Sequence, residues 1–347
     1  MSSSRIRRYW RFGRHILHTR VLMYPLWLYG YLRPHNRIIR TWQSDSRRLG
    51  PRVAVFCHYD RAGRINPAVR NYLATLERCG LSIVFVTNAG FLKPDAMAFV
   101  RELCAAVIIR GNVGYDFGAW RDGLAQMRLP RAETEAVFLA NDSVYGPIQP
   151  FEPVFARIDF GQADAWGLTD SWQSRYHLQS FFLGFNRKVL DSDAWRGFWR
   201  SVHPVPTKYW IIKRCEVGLT QRLLRAGFHC EALWPYHSLI SSHEVAGLEQ
   251  VFAVEPGSEM PFTTARSKHA LRILSSAAQR DPLNPTNELW RQLLHAGFPF
   301  IKRELQSKNP TEVEDIADWR DVLARELGVD TAPILDELQY VLRNRTP

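Results

Sequence analysis

Short apolar segments alternate with amphipathic segments along the first half of the chain, and this alternation restricts the fold more than any other feature. Strands that alternate with helices at short intervals are typical of βαβ units around a parallel sheet. The apolar runs predict strands at residues 53–57, 81–86, 105–109 and 136–140, and the segments between them predict helices at residues 67–80, 94–103 and 116–126. We therefore predict an α/β fold with a mostly parallel central sheet.

The alternation becomes less regular after Pro153, although apolar runs continue. They predict further strands at residues 165–168, 180–185 and 230–234, and further helices at residues 189–202 and 216–226. From about Asn284 the chain is more polar and its pattern is helical. We therefore expect one globular domain at residues 49–250, followed by a mostly helical C-terminal extension at residues 251–347.

Positive charge is concentrated at the N-terminus. The formal net charge is +11, and residues 1–48 contain eleven Arg and one acidic residue, Asp45, so this segment carries 11 − 1 = +10. The rest of the chain is nearly neutral. A basic arm on a neutral body favours a local anionic partner, either a membrane surface or a polyanion.

An apolar run at residues 21–32 lies within this basic arm. It contains Pro25 and is shorter than the roughly 20 residues that span a bilayer. No small-residue cleavage site follows it, so a signal peptide is not expected. Trp and Tyr beside Arg suit the headgroup region of a membrane, and we predict interfacial contact there. The alternative is a segment that packs on the body of the protein.

The cysteines indicate a reducing compartment. There are five, at Cys57, Cys79, Cys104, Cys215 and Cys230, and no two of them form a CxxC pair. An odd number at wide spacing supports neither a zinc site nor a disulfide framework. We predict buried free thiols.

Polar side chains follow the predicted strands at their carboxyl ends, which is where open α/β sheets bind ligands. The candidate nucleotide-binding residues there, called donor-binding residues below, are His58, Tyr59, Asp60, Asn88, Asn141, Asp142 and Ser143. A carboxylate such as Asp142 can hold a divalent cation, and the cation can hold a diphosphate. The alternative is that Asp142 is a turn residue or a helix N-cap.

The third strand is followed by a loop with two glycines, RGNVGYD at residues 110–116. Glycines allow the backbone to approach a ligand, and the N-terminus of the next helix favours anions. The candidate donor-binding residues in this loop are Arg110, Asn112, Gly114 and Asp116. The loop is neither a GxGxxG fingerprint nor a Walker A loop. It could equally be a tight connection that Asp116 caps, with Arg110 paired to an acidic residue.

Residues 111–124 read GNVGYDFGAWRDGL and residues 141–147 read NDSVYGP. These blocks resemble the rhamnan synthesis protein F family, which makes rhamnose-containing bacterial cell-surface polysaccharides. The later blocks are residues 180–185, 198–199, 216–220, 284–286 and 297–305. The resemblance runs from about Val53 to Pro310, and the first 48 residues lie outside it.

The resemblance implies a GT-A-like glycosyltransferase, a nucleotide-sugar-binding α/β sandwich whose expected donor is dTDP-L-rhamnose. The usual carboxylate motif of such enzymes is Asp-x-Asp, whereas Asn141, Asp142 and Ser143 stand here, so the first carboxylate is missing. The expected cofactor is a divalent cation, Mg²⁺ or Mn²⁺. Its expected ligands are Asp142 and, as a second ligand, His237 or His243.

The resemblance also implies the catalytic residues. Sugar transfer needs a base that takes the proton of the acceptor hydroxyl. In similar folds this carboxylate opens a helix, and Glu216 is expected in that place, where a helix N-terminus would favour its ionised form. Asp170 is the reserve candidate, and Tyr176 and His177 are expected to contact the acceptor. The alternatives are that Glu216 is a capping residue and that His177 is a structural hydrogen-bond partner.

We therefore expect a cytoplasmic protein, peripheral at the inner face of the cell membrane, that transfers a deoxyhexose to a growing, lipid-linked surface glycan. Two other classes of function stay open. One is a nucleotide-sugar or glycan-binding module without catalysis, which the incomplete carboxylate motif permits. The other is a nucleic-acid-binding protein that uses the Arg-rich arm. Because the body outside the arm is nearly neutral, no nucleic-acid partner is expected.

Overall fold

The computed structural model describes residues 37–240, 272–276 and 281–344, and four further positions at 25, 28, 30 and 32. Most of the predicted basic arm and the predicted metal ligand His243 lie outside these residues. Within them, no helix combines the length and the apolar character that a membrane crossing requires.

The described strands follow the predicted runs closely in the first half of the chain. They are β1 Ile38–Gln43, β2 Arg52–His58, β3 Ser82–Thr87, β4 Ala106–Arg110, β5 Ala136–Asn141, β6 Val144–Tyr145, β7 Ala165–Ser171, β8 His177–Leu178, β9 Phe182–Asn186, β10 Cys230–Trp234 and β11 Ile301–Lys302.

The described helices lie between these strands and after them. They are α1 Pro67–Arg78, α2 Pro94–Leu103, α3 Tyr115–Gln126, α4 Glu152–Phe155, α5 Arg187–Leu190, α6 Asp193–Ser201, α7 Lys208–Trp210, α8 Val217–Arg225, α9 Pro285–Glu288, α10 Trp290–His295, α11 Arg303–Ser307, α12 Trp319–Asp321 and α13 Ala332–Arg343, with π-helical turns at Ile211–Glu216 and Val322–Glu326 and a 3₁₀ helix at Glu314–Asp318.

The central sheet has the strand order β1-β4-β3-β2-β5-β9-β7-β10, and β8 pairs with β7 beside this path. Strands β4, β3, β2 and β5 are parallel to one another, as are β7 and β10. Strand β9 runs antiparallel between β5 and β7, and β1 runs antiparallel to β4. The predicted α/β fold with a mostly parallel sheet is confirmed.

The core lies on both faces of this sheet. In β2, the side chains of Ala54 and Phe56 pack in one apolar cluster, and those of Val53, Val55 and Cys57 pack in the other. Successive side chains of a strand point to opposite faces, and helices cover both faces of a mostly parallel sheet. This double coverage explains why the run at residues 53–57 is continuously apolar rather than alternating.

The predicted start of the first helix is confirmed, because the Asn66 side chain caps it by accepting a hydrogen bond from the Val69 backbone N–H at 2.9 Å. Within the predicted arm at residues 1–48, residues 38–43 form β1 at the edge of the central sheet. Its single charged residue, Arg40, is exposed, and an edge strand tolerates charge on its exposed side. The Arg-rich sequence around β1 concealed its strand character.

The C-terminal extension joins the globular domain through a second, two-stranded sheet. Strand β11 pairs antiparallel with β6, and Ile301 lies opposite Tyr145. Next to it, the Phe300 ring lies 4.9 Å from Tyr72 and 5.6 Å from Phe151, measured between ring centroids. Aromatic pairs at such distances stabilise packing. The extension is therefore held directly beside the turn that follows β5.

This contact requires a glycine at position 146. Gly146 has a φ of +139°, and a Cβ atom there would lie 2.5 Å from the Pro299 carbonyl oxygen. It would also lie 2.7 Å from Cδ1 of Phe300. Only a residue without Cβ leaves room for the backbone of the extension to pass so close.

The five cysteines are free and buried, as predicted. Burial raises the pKa of Cys104 and Cys215 well above the ordinary value of a thiol. Buried thiols of this kind behave as small apolar side chains.

Candidate active site

The carboxyl ends of β2, β3, β4 and β5 lie along one side of the sheet because these strands are parallel. We call this side the carboxyl edge. The register of β2 and β5 places Cys57 opposite Asn141. Just beyond this pair, the Tyr59 backbone N–H donates to Asp142 Oδ2 at 3.2 Å. The structure thus brings the predicted residues after β2 and after β5 into direct contact.

Asp142 lies at this edge with only 9% of its surface exposed. Nη1 of Arg303 lies 3.3 Å from its Oδ2 and 3.0 Å from its carbonyl oxygen. A cation of the C-terminal extension therefore neutralises the Asp142 carboxylate. Of the two sequence-based alternatives, a capping role is not observed, since β6 and not a helix follows Asp142.

The ion pair of Asp142 is the first of a chain of charged contacts. Arg303 also reaches Glu337 of α13 at 3.3 Å, and Arg64 reaches the other oxygen of Glu337 at 3.4 Å. Arg64 in turn contacts Asp60 Oδ2 at 3.1 Å. Asp60, a predicted donor-binding residue, is therefore engaged within the protein and links the end of β2 to the C-terminal helix.

A second set of contacts surrounds Asp116 at the start of α3. Asn141 Nδ2 donates to Asp116 Oδ2 at 2.9 Å, and the Cys57 thiol donates to the other oxygen at 3.5 Å. Burial, and after it the nearby charge of Asp142, raises the pKa of Asp116 to about 6. Asp116 is therefore mostly ionised at pH 7 and gains a proton in mildly acidic solution.

Asn141 extends these contacts to Glu216. Its Nδ2 atom also lies 3.4 Å from the Ser180 carbonyl oxygen. The backbone N–H and the hydroxyl of Ser180 donate to Glu216 Oε1 at 2.8 and 2.9 Å. Among the described residues, none donates to Oε2 of Glu216. Hydrogen bonds thus connect Asp116 to Glu216 and leave one Glu216 oxygen available to a ligand.

The predicted position of Glu216 at a helix N-terminus is wrong. It ends the π-helical turn Ile211–Glu216, and the helical stretch begins earlier, at Lys208. The Thr207 hydroxyl caps that start by accepting from the Trp210 backbone N–H at 3.2 Å. Glu216 therefore does not cap a helix, and its Oε1 accepts two hydrogen bonds from Ser180 instead. π-helical turns occur frequently at functional sites.

Lys302 reaches the same edge from β11. Its Nζ donates to the Ser143 hydroxyl at 3.1 Å and lies 5.1 Å from the centroid of the Phe181 ring. Ser143, a predicted donor-binding residue, also contacts Asn141 Oδ1 through its backbone N–H at 3.0 Å. Burial lowers the pKa of Lys302, and the charges of Glu304, Glu216 and Asp116 oppose that effect.

Arg110 does not lie in an open position. Its side chain is completely buried, and its Nε donates to Asp122 Oδ2 at 2.8 Å. Its other nitrogens donate to Asn88 Oδ1 and to the Val113 carbonyl oxygen. The predicted donor-binding residues Arg110 and Asn88 are thus partners in a buried network. Gly118 makes room for it, since a Cβ there would lie 3.2 Å from Arg110 Nη2.

The remaining predicted donor-binding residues differ in accessibility. Tyr59 is 44% exposed and Asn112 is also exposed. His58 is buried, its Nδ1 lies 3.1 Å from the Thr87 hydroxyl, and burial lowers its pKa. Gly114 has a φ of +85°, and a Cβ there would lie 3.1 Å from Cα of Pro204. Gly114 is therefore required by backbone packing.

The reserve base and the predicted acceptor residues lie at the ends of β7 and β8. Asp170 is buried and accepts a hydrogen bond from the Tyr236 backbone N–H, and burial raises its pKa. His177 is buried with Nδ1 2.8 Å from the Arg175 carbonyl oxygen. The Tyr176 hydroxyl donates to the Cys230 carbonyl oxygen at 3.1 Å. The hydrogen bond of His177 is internal to the protein, as expected for the alternative in which His177 is a structural hydrogen-bond partner.

Comparison with known proteins identifies the family. Residues 83–250 match the family model of rhamnan synthesis protein F. Virulence protein VirA of Vibrio anguillarum (strain ATCC 68554 / 775) is 30% identical over 265 residues, which cover 75% of this chain and 81% of VirA. The chain belongs to the rhamnan synthesis protein F family. Membership of this family supports a glycosyltransferase that uses a sugar nucleotide.

Two solved structures show limited similarity. Mannosyltransferase PcManGT from Pyrobaculum calidifontis, in complex with GDP-Man and Mn²⁺, is 13% identical, and the match covers 96% of this chain and 91% of PcManGT at a TM-score of 0.32. Glycosyltransferase GlyE of Streptococcus pneumoniae TIGR4 is 11% identical, with coverage of 58% and 50% and a TM-score of 0.32. The rhamnan synthesis protein F family is therefore assigned from the sequence matches.

The carboxylate that was expected to hold the divalent cation is already paired with an arginine. Residues 37–240, 272–276 and 281–344 contain no group of three His, Cys, Asp or Glu side chains arranged to hold a metal ion. Asp142 is paired with Arg303, and His237 is exposed. This member of the rhamnan synthesis protein F family places a cation of its own at the carboxylate that was expected to bind the metal.

Sequence reasoning missed the contribution of the C-terminal extension. Lys302 and Arg303 lie in a block that resembles the rhamnan synthesis protein F family, but no site was predicted there. The one available signal was the pair of adjacent cations after an apolar run at residues 298–301. Nothing in the local sequence indicates that this pair lies against Asp142 and Ser143.

Proposed function

We propose that this protein transfers L-rhamnose from dTDP-L-rhamnose onto a growing bacterial surface polysaccharide. Membership of the rhamnan synthesis protein F family supports the polysaccharide product. The observation that carries the proposal is the chain of contacts Asp116–Asn141–Ser180–Glu216 at the carboxyl edge of the sheet. This chain of contacts connects Asp116, on the side where a sugar nucleotide would bind, with the Glu216 carboxylate, which has one oxygen available.

Glu216 is the proposed catalytic base. In the transfer step the acceptor hydroxyl oxygen forms a bond to the anomeric carbon of the sugar, and the bond from that carbon to the diphosphate breaks. The hydroxyl proton moves to Oε2 of Glu216, and the nucleoside diphosphate leaves with the electron pair. The two hydrogen bonds from Ser180 to Oε1 orient the carboxylate for this transfer, and such positioning is a main source of rate enhancement.

A panel of sugar nucleotides tests the donor. We expect dTDP-L-rhamnose to raise the melting temperature more than UDP-glucose or GDP-mannose at equal concentration. A ligand at 100 times its Kd stabilises the folded state by about 2.7 kcal/mol, and this corresponds to a shift of several degrees. The measurement is a thermal denaturation curve with each nucleotide. A larger shift with GDP-mannose or UDP-glucose would contradict the proposed donor.

We further propose that the N-terminal arm binds an anionic membrane surface, which would bring a lipid-linked acceptor to the site. The +10 charge of residues 1–48 supports this, although residues 38–43 belong to the sheet. We expect the full-length protein to sediment with vesicles that contain anionic lipid, and this binding to weaken with added salt. Equal sedimentation with neutral vesicles, or preferential binding to nucleic acid, would reject the proposal.

The second candidate function is a nucleotide-sugar or glycan-binding protein without catalysis. The observation in its favour is that Asn141 replaces the first carboxylate of the expected motif and that Asp142 is paired with Arg303. Release of nucleoside diphosphate by the purified protein, measured with the donor that binds best, separates the two functions. Binding without any release under all acceptor conditions would favour the second.

A further inference from the structure

No counter-ion among the described residues contacts the Lys302 ammonium group. The side chain is only partly exposed, and no carboxylate oxygen of the described residues lies within 4.0 Å of Nζ. Among the described residues, the one hydrogen bond of this ammonium group goes to the neutral Ser143 hydroxyl, and the Phe181 ring centroid lies 5.1 Å away. An ammonium group has three donors, so two remain for a ligand. A charge that is removed from water without a partner is costly, which points to an anionic ligand.

The position of Lys302 indicates which anion this is. Lys302 contacts Ser143, which contacts Asn141, and Asn141 donates to Asp116 at the start of α3. Burial lowers the pKa of Lys302, and the charges of Glu304, Glu216 and Asp116 oppose that effect, so Lys302 also lies within electrostatic range of the proposed base. Ser143, its contact, follows directly after Asp142. This is the carboxyl edge, where an α/β sheet binds the phosphates of a nucleotide.

The carboxylate that a metal ion would need is already neutralised. Arg303 contacts Asp142 Oδ2, and Arg303 is itself held by Glu337. Adjacent residues of one segment thus provide two cations. Arg303 pairs with the Asp142 carboxylate, and Lys302 keeps hydrogen-bond donors for a ligand. The arrangement suits an anion better than a divalent cation.

We propose that Lys302 binds the diphosphate group of the sugar nucleotide directly, so that donor binding does not require a divalent cation. This inference rests on the proposed transfer function. When the bond between the anomeric carbon and the diphosphate breaks, the leaving group gains negative charge. A fixed ammonium group stabilises that charge in the way that metal ions do in other phosphoryl sites. The C-terminal extension is therefore part of the donor site.

The test is calorimetric titration of dTDP into the full chain, first with EDTA and then with Mg²⁺ or Mn²⁺. We expect the wild-type protein to bind dTDP in EDTA with an affinity within about threefold of that with metal. Lys302→Met should weaken binding by about 10- to 100-fold, which is the scale of a charge-assisted hydrogen bond. Lys302→Arg, which keeps the charge, should lose less. Lys308→Met, an exposed lysine of the same extension, is the matched control and should bind like wild type.

A thermal melt without nucleotide separates ligand binding from folding. Because no carboxylate of the described residues pairs with the partly buried Lys302 ammonium group, Lys302→Met should leave the melting temperature unchanged or raise it, while it weakens dTDP binding. A requirement for metal in the wild type, or unchanged dTDP binding by Lys302→Met, would overturn the inference and leave the proposed function standing. Absence of nucleotide binding by the wild type with and without metal would instead reject the proposed function, and the inference with it.

Discussion

Glu216→Gln is expected to lower kcat by about 10²- to 10⁴-fold, the usual contribution of a general base. The amide keeps the shape of the side chain, and its oxygen can still accept the two hydrogen bonds from Ser180. It cannot take a proton from the acceptor hydroxyl. The nucleotide Kd should therefore stay within about threefold, since the lost interaction forms only in the transition state.

The measurement is the rate of nucleoside diphosphate release at saturating donor, together with a separate titration of the nucleotide. Glu231→Gln is the matched control, because Glu231 is partly exposed and pairs only with His229 in the described structure. It should keep near-native turnover. Loss of nucleotide binding with unchanged turnover per bound donor would show that Glu216 supports the donor site and is not the base.

Asp142→Ala is expected to reduce both sugar transfer and donor affinity, each by more than about tenfold. The substitution leaves Arg303 with Glu337 as its remaining carboxylate, and it removes the acceptor of the Tyr59 backbone N–H. Breaking a buried ion pair by removing one partner costs about 3–5 kcal/mol of stability. Asp142 connects the ends of β2 and β5 with the C-terminal extension. We therefore expect the substitution to distort the donor site as well as to destabilise the fold.

Chemical denaturation and nucleotide titration of the same variant measure these two effects. Asp95→Ala is a suitable control, because Asp95 also pairs with an arginine, Arg70, but is 70% exposed. Exposed pairs contribute about 0–1 kcal/mol, so the control should be nearly as stable as wild type. Near-native turnover and donor affinity in Asp142→Ala would refute the role of Asp142 at the donor site.

Much of the fold was predictable because it depends on local patterns. The run at residues 53–57 predicts a buried strand from its composition alone, and Asn66 before Pro67 marks a helix start through a hydrogen bond to a residue three positions away. Contacts of this range follow from the side-chain periodicity of strands and from helix capping. The same reasoning failed for β1, which lies within the Arg-rich N-terminal segment, and for Glu216, where a π-helical turn extends the helix backwards to Lys208.

The sequence by itself determined the α/β class, the ends of the first strands, the free cysteines and the residues that gather at the carboxyl edge. Only the tertiary structure decided which of those residues are engaged within the protein, as Arg110 and Asp142 are, and which cations complete the site. Lys302 contacts Ser143 across 159 residues of chain, and Arg303 contacts Asp142 across 161. The physical reason is that such a pair depends on how β11 docks against β6, and no periodicity of the intervening sequence encodes that distance.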